Sequence, residues 1–244
     1  MKERIKPERA FTLVELLVAM AIIGILAGLL LTALSPSKAN AKRTACLNNL
    51  KQINYGIRMY CDDSGGISPA AKMPSFAYKD LIKSYVGLKG GSSPQDRIFA
   101  CPADTFHYET TKDGRDFYLT NAAMHESKRY NYTSYWFNGM NFPPRTNAHP
   151  ALGIAGVKIA SIEEPAKTVL VAEAPASYPY SWHQPDAPMQ LSPGDIPMFN
   201  NAQDVVSFVD GHASYIKMFW DESVRAYSFF YNPPAGYDYK WSGD

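Results

Sequence analysis

The feature that most constrains this chain is an apolar run near its start. From Leu16 to Leu34 no residue is charged, and Thr32 carries the only hydroxyl. At ~1.5 Å rise per residue such a helix is about 28 Å long, close to the ~30 Å hydrocarbon core of a bilayer. One membrane span is predicted. The residues before it hold Lys2, Arg4, Lys6 and Arg9 against Glu3 and Glu8, a basic leader that argues for a cytoplasmic N-terminus. Lys38, Lys42 and Arg43 follow the span and oppose a simple charge count.

Three readings compete for this region: a cleaved secretory signal, a plain anchor, and a prepilin leader joined to an anchor. A secretory signal has an apolar stretch of ~7–15 residues ending at a small-residue cleavage site. Here the stretch is longer and ends on Ser35-Pro36-Ser37, a poor site. Glu15 separates the other two, being the only charge between Arg9 and Lys38. A carboxylate at mid-bilayer depth costs ~2.5–3.5 kcal/mol and calls for a partner. The plainer alternative is that Glu15 snorkels toward the headgroups.

The run Ala10-Phe11-Thr12-Leu13-Val14-Glu15-Leu16-Leu17-Val18, followed by Ile22-Ile23-Gly24-Ile25-Leu26, resembles the prepilin-type cleavage and methylation segment of type IV pilins and type II secretion pseudopilins. The resemblance implies that prepilin peptidase cuts between Ala10 and Phe11 on the cytoplasmic side and that the Phe11 amine is then N-methylated. The family usually has Gly before the cut, where this chain has Ala10. It also implies a single-pass protein of the bacterial inner membrane with its C-terminal part in the periplasm or outside, and a filament after assembly. A free α-amine titrates at ~7.7–8.0 and is largely cationic at neutral pH. In a filament the Phe11 ammonium of one subunit is expected to neutralise Glu15 of its neighbour and set the register.

Beyond the anchor, Pro36 is expected to kink or interrupt the helix. Helical spacing then resumes with Cys46, Leu50, Ile53, Ile57 and Tyr60. Lys38, Lys42, Arg43, Lys51 and Arg58 give this stretch five cations and no acid. Such charge suits anionic headgroups, and no nucleic-acid partner is expected. The run Cys46-Leu47-Asn48-Asn49-Leu50-Lys51-Gln52 extends the resemblance toward proteins with a prepilin-type processing-associated H-x9-DG domain.

From Cys61 to Asp244 there are 15 basic and 20 acidic residues, the composition expected of an exported head. Asp62-Asp63-Ser64-Gly65-Gly66 should end the long helix. Tyr78 to Val86 reads as a short amphipathic helix with Leu81, Ile82, Tyr85 and Val86 inward. Candidate strands are Tyr130 to Phe137, Gly156 to Ile162, Thr168 to Glu173, Val205 to Val209 and Ala213 to Met218. The expected fold is α+β: a long N-terminal transmembrane-plus-amphipathic helix packed on an antiparallel sheet. The domains are a leader over 1–10, a transmembrane helix over 11–35, its continuation over 36–62, and the head over 63–244.

Asp210-Gly211 between Val205-Val206-Ser207-Phe208-Val209 and His212-Ala213-Ser214-Tyr215-Ile216 predicts a hairpin whose two central residues take φ > 0. The family's His ten positions before that Asp is Asn200 here. Further matches to the family are Cys101-Pro102, Asn138-Gly139, and Glu164-Pro165-Ala166-Lys167-Thr168 leading to Glu173. The five histidines His107, His125, His149, His183 and His212 fit no metal-ligand spacing, and no nucleophile elbow or phosphate loop is present. A site from Glu173, Asp210 and His212 is conceivable if their strands adjoin, but a turn Asp and polar strand residues are the simpler account. No enzymatic activity or cofactor is expected. Some pseudopilins bind structural calcium, and Asp62, Asp63, Asp204 and Asp210 offer oxygen ligands, but their spacing forms no known loop and the metal stays unassigned.

Cys46 and Cys61 lie ~22 Å apart on one helix, too far for a disulfide. An oxidising compartment permits Cys101 to pair with either, and buried thiols are the alternative. The resemblance implies Cys46 with Cys101, leaving Cys61 free. The expected function is that of a structural subunit of a type IV pilus or type II secretion pseudopilus. Its partners would be prepilin peptidase, other pilin or pseudopilin subunits, the assembly platform and inner-membrane lipid. The alternative is a surface-displayed carbohydrate-binding module using Tyr178-Pro179-Tyr180-Ser181-Trp182 and Phe229-Phe230-Tyr231.

Overall fold

The computed structural model describes residues 12–70, 74–110, 117–139, 153–178, 180–184, 202–221 and 231–244. It divides into two compact units, Met1–Ala41 and Lys42–Asp244. Ala10, Phe11 and Asn200 lie outside the described residues, as do Pro179, Phe229 and Phe230.

The first unit is the N-terminal part of helix α1, which runs Leu13–Asp63. Its most apolar window is long enough to cross a membrane, and none of that window is buried within the chain. Leu13 is 79% exposed and Leu29 66%, so this surface requires an apolar solvent or a neighbour. Of the two effects expected of Pro36, a kink or an interruption, the interruption does not occur: Pro36 lies inside α1. A proline removes one donor from the ladder, and the long helical runs on either side keep the backbone dihedrals in place.

In the second unit the rest of α1 supplies one wall of the core. Cys46, Leu50, Ile53, Ile57 and Cys61 recur at helical spacing and are buried. Gly56 lets the next element approach closely, because a Cβ there would meet Val86 Cγ1 at 2.6 Å. That element is α2, Pro74–Ile82, followed by a 3-10 turn over Lys83–Val86. It begins four residues earlier than the sequence suggested, with Pro at its first position. Ile82 is buried, but Ser75, Tyr78, Lys79 and Lys83 are the other buried residues, while Leu81, Tyr85 and Val86 are half-buried.

Six strands follow. β1 (His107–Thr110) and β2 (Phe117–Thr120) form an antiparallel pair that the sequence reading missed. β3 (Tyr135–Phe137), β4 (Val169–Glu173), β5 (Gln203–Phe208) and β6 (Ala213–Lys217) form an antiparallel sheet in that spatial order. Every residue of β4 is buried, as expected of an inner strand covered on both faces. The fold is α+β, with a long apolar N-terminal helix and antiparallel sheets.

Two strand expectations fail. Tyr130 to Phe137 shortens to β3 because Asn131 and Tyr132 take φ of 51° and 55°, a left-handed turn that ends any strand. Gly156 to Ile162 is not a strand: it makes a single bridge, Lys158 with Ile67, and then a 3-10 turn over Ile159–Ser161. The C-terminal segment completes the core instead. Lys240 bridges Thr168 in parallel, Trp241 is buried, and Asn138 Nδ2 donates to Trp241 O at 2.7 Å.

Candidate functional site

Thr12 and Glu15 open α1. The Glu15 carboxylate accepts from the Thr12 backbone N–H at 2.9 Å and from Thr12 Oγ1 at 2.7 Å. Glu15 N–H in turn donates to Thr12 Oγ1 at 3.2 Å. This reciprocal T-x-x-E capping box satisfies helix N-terminal donors that have no partner of their own. The signal was in the sequence, but attention to the charge of Glu15 hid it.

The Asp-Gly hairpin joins β5 to β6, with Ser207 opposite Ala213. The turn differs from the expected one: Gly211 takes φ of +107°, whereas Asp210 is not among the residues of positive φ. Asp210 instead folds its side chain back, Oδ1 accepting from the His212 backbone N–H at 3.1 Å. Its main chain ties the turn to two other segments. Asp210 N–H donates to Pro165 O at 3.1 Å, and Arg58 Nη1 of α1 donates to Asp210 O at 2.8 Å. Asn54 of α1 adds a bond to Phe208 O at 2.6 Å. The hairpin thereby locks the sheet to the helix.

Glu173 does not meet Asp210 and His212. In the β4–β5 register Ala172 faces Val206, so Glu173 sits near the opposite end of β5, ~16 Å along the strand from the turn. What it meets is a buried cluster. Cys46 of α1 and Cys101, from the loop before β1, have Cα atoms 5.2 Å apart and joined sulfurs. Glu173 Oε1 lies 3.1 Å from Cys101 Sγ and 2.8 Å from His183 Nε2, and Cys101 Sγ is 3.7 Å from His183 Nε2. Glu173 Oε2 accepts from Val205 N–H at 2.9 Å.

Supporting groups fix each member of this cluster. Cys101 N–H donates to Ser134 Oγ at 2.9 Å, and Asn49 Nδ2 of α1 donates to Ala100 O at 3.0 Å. His183 packs edge-on to Tyr215, over whose ring the Arg43 guanidinium lies 4.7 Å from the centroid. Asp204, fully buried, has no hydrogen-bond partner for either carboxylate oxygen among the described residues. Burial, reinforced by the Glu173 charge, raises its pKa well above the usual carboxylate range. Cys61 is free and buried, and burial together with neighbouring Asp62 pushes its thiol up to about 11.

Two further polar centres hold loops in place. Glu109 accepts from Tyr118 OH, Tyr130 OH and Arg129 Nη1 at 2.7, 2.8 and 2.8 Å. Burial alone would raise its pKa, but these bonds and that from His107 lower it to about 2. Asp96 is shared by Lys79 at 3.1 Å and Lys83 at 2.8 Å. Lys79 also donates to Asn131 O and Tyr132 O, holding the left-handed turn that precedes β3.

The four aspartates considered as calcium ligands are not gathered. Asp62 and Asp63 are exposed at the end of α1, Asp204 is buried in β5, and Asp210 caps its own turn. Of the aromatic platform's described residues, Tyr180, Trp182 and Tyr231 are buried and Tyr178 is half-buried. Trp182 Nε1 donates to Phe106 O at 2.7 Å and Tyr180 packs on Phe106 and Tyr108, so these rings are spent on packing rather than offered to a sugar.

The family model described as the prokaryotic N-terminal methylation motif matches residues 5–31. No curated protein and no solved structure matches the chain. The matched segment contains the start of the charge-free run, the Thr12–Glu15 box and the beginning of α1 at Leu13.

Proposed function

We propose that the chain is a pilin-like structural subunit, cut between Ala10 and Phe11, N-methylated on Phe11, and assembled into a type IV pilus or type II secretion pseudopilus. The observation that carries this reading is the methylation motif over residues 5–31, continuous with an apolar helix of which the most apolar window is unburied within the chain. The head lies outside the inner membrane, and the β5–β6 hairpin belongs to an H-x9-DG-type domain in which Asn200 replaces the His. Its partners are prepilin peptidase, other subunits, the assembly platform and membrane lipid.

Assembly on this reading is an exchange of partners at Glu15. In the single chain the carboxylate is held by Thr12. In the filament it accepts the Phe11 ammonium of the next subunit, which enters the apolar core only with a counter-charge. Mass spectrometry of the mature protein is expected to find a chain beginning at methylated Phe11, and imaging of cells carrying a tagged copy to find filaments. Recovery only of a chain beginning at Met1, in cells with active prepilin peptidase, would overturn the reading.

A further inference from the structure

We propose that Cys46, Cys101, Glu173 and His183 form a redox-gated site for a zinc-class divalent cation, closed when the cysteines are paired and opened by a dithiol reductant. The four side chains each turn one ligand-type atom to a common centre, and these atoms all lie within 4.8 Å of one another. Among the described residues this is the one such group of three or more His, Cys, Asp or Glu.

The set matches the chemistry of zinc. With Zn–S of ~2.3 Å and Zn–N or Zn–O of ~2.0 Å, a tetrahedral S2NO site has ligand–ligand edges of roughly 3.3–3.8 Å. Separations of 2.8, 3.1 and 3.7 Å among Glu173, Cys101 and His183 are within about 0.5 Å of those edges. Two thiolates and a carboxylate against a dication leave one net negative charge, and thiolate with imidazole selects zinc over calcium or magnesium. The burial of Glu173 and His183, with side chains 0% and 2% exposed, excludes the water that would otherwise complete an open coordination sphere.

One contact shows what the paired state leaves undone. A disulfide sulfur carries no proton, so Glu173 Oε1, 3.1 Å from Cys101 Sγ, faces an atom that gives it nothing to accept. Reduction changes this. The added dithiol supplies two electrons and two protons and becomes a disulfide, the Cys46–Cys101 bond breaks, and each sulfur becomes a thiol. The cation then displaces both thiol protons to solvent and takes the two thiolates, Glu173 Oε1 and His183 Nε2. Cys61 takes no part, lying ~22 Å along α1 from Cys46.

The test uses the full chain in detergent micelles, with cobalt(II) as probe. After reduction with a dithiol, removal of the excess and addition of cobalt, one cobalt per chain is expected, with the intense visible bands of tetrahedral geometry and a thiolate charge-transfer band. The oxidised chain is expected to bind none. His183→Gln and Glu173→Gln should weaken binding by more than the ~10–100-fold that loss of an outer partner costs, while Cys61→Ser should leave the spectrum unchanged. No cobalt bound after reduction, or equal binding by the oxidised wild-type chain, would overturn the proposal. So would a tetrahedral spectrum unaltered in His183→Gln and Glu173→Gln. The wild-type comparison stands even where a variant fails to fold.

Discussion

Arg58 and Asp210, 152 residues apart in the chain, meet through one bond of 2.8 Å from guanidinium to main-chain carbonyl. A Cβ added at Gly211 would lie 2.9 Å from the same guanidinium. The hairpin tip is therefore shaped around the helix as much as around its own strands.

Gly211→Ala is expected to cost about 1–2 kcal/mol, from the left-handed backbone alone, since the flexible Arg58 can move aside. Arg58→Ala should cost about 0.5–1.5 kcal/mol, the net worth of one hydrogen bond. Denaturant unfolding of both variants reads these numbers. A neutral Gly211→Ala would mean that the turn reorganises freely.

Stability should fall in acid through Glu109. Its carboxyl titrates near 4.5 when unfolded and is lowered to about 2 in the fold. The stabilisation is complete above pH 4.5 and is lost as pH falls toward 2, amounting to roughly 3 kcal/mol. In Glu109→Gln the loss at neutral pH should be about 1.5–3 kcal/mol, and the gap to wild type should close across that window. Thermal melts from pH 2 to pH 7 test the sign.

Non-reducing peptide mapping should recover Cys46 and Cys101 in one linked peptide. Cys61, with its thiol pushed up to about 11, should resist alkylation at neutral pH until the chain is denatured. Reduction, in the absence of metal, is expected to lower stability by about 4 kcal/mol for a loop closed across 55 residues. Three free thiols in the mature protein would refute the pairing.

Glu15→Leu should insert into the membrane normally and still be cleaved, yet fail to assemble. The Phe11 ammonium of the neighbour would then be buried without its counter-charge, a penalty of ~3–5 kcal/mol at each contact. Glu15→Asp should do less damage. Filament counts equal to wild type in Glu15→Leu would reduce Glu15 to a helix cap.

How far the sequence spoke depended on whether a feature was local. The apolar run, the helical spacing from Cys46 to Ile57, and the strands around Asp210-Gly211 are written in consecutive residues, and each appears in the fold. Whether Pro36 would break the helix was not legible locally, because a proline's effect depends on the helix already established around it. Tyr130 to Phe137 looked like a strand, but Lys79, more than fifty residues upstream, captures the carbonyls of Asn131 and Tyr132. The Cys46, Cys101, Glu173 and His183 cluster has no spacing signature, because each member comes from a different segment and only the folded sheet gathers them.

The ties between α1 and the hairpin also dictate when the head can be finished. Asn54 and Arg58 are made early, whereas Phe208 and Asp210, to which they bond, come 154 and 152 residues later. Contacts of such separation carry a loop-closure entropy that must be met before they form, and they slow folding. During synthesis Asn54 and Arg58 of α1 lack these partners until β5 and the turn after it exist. The first element of the head to be made is tied down only late, so chains stopped before about residue 208 would leave α1 without these ties and more open to aggregation.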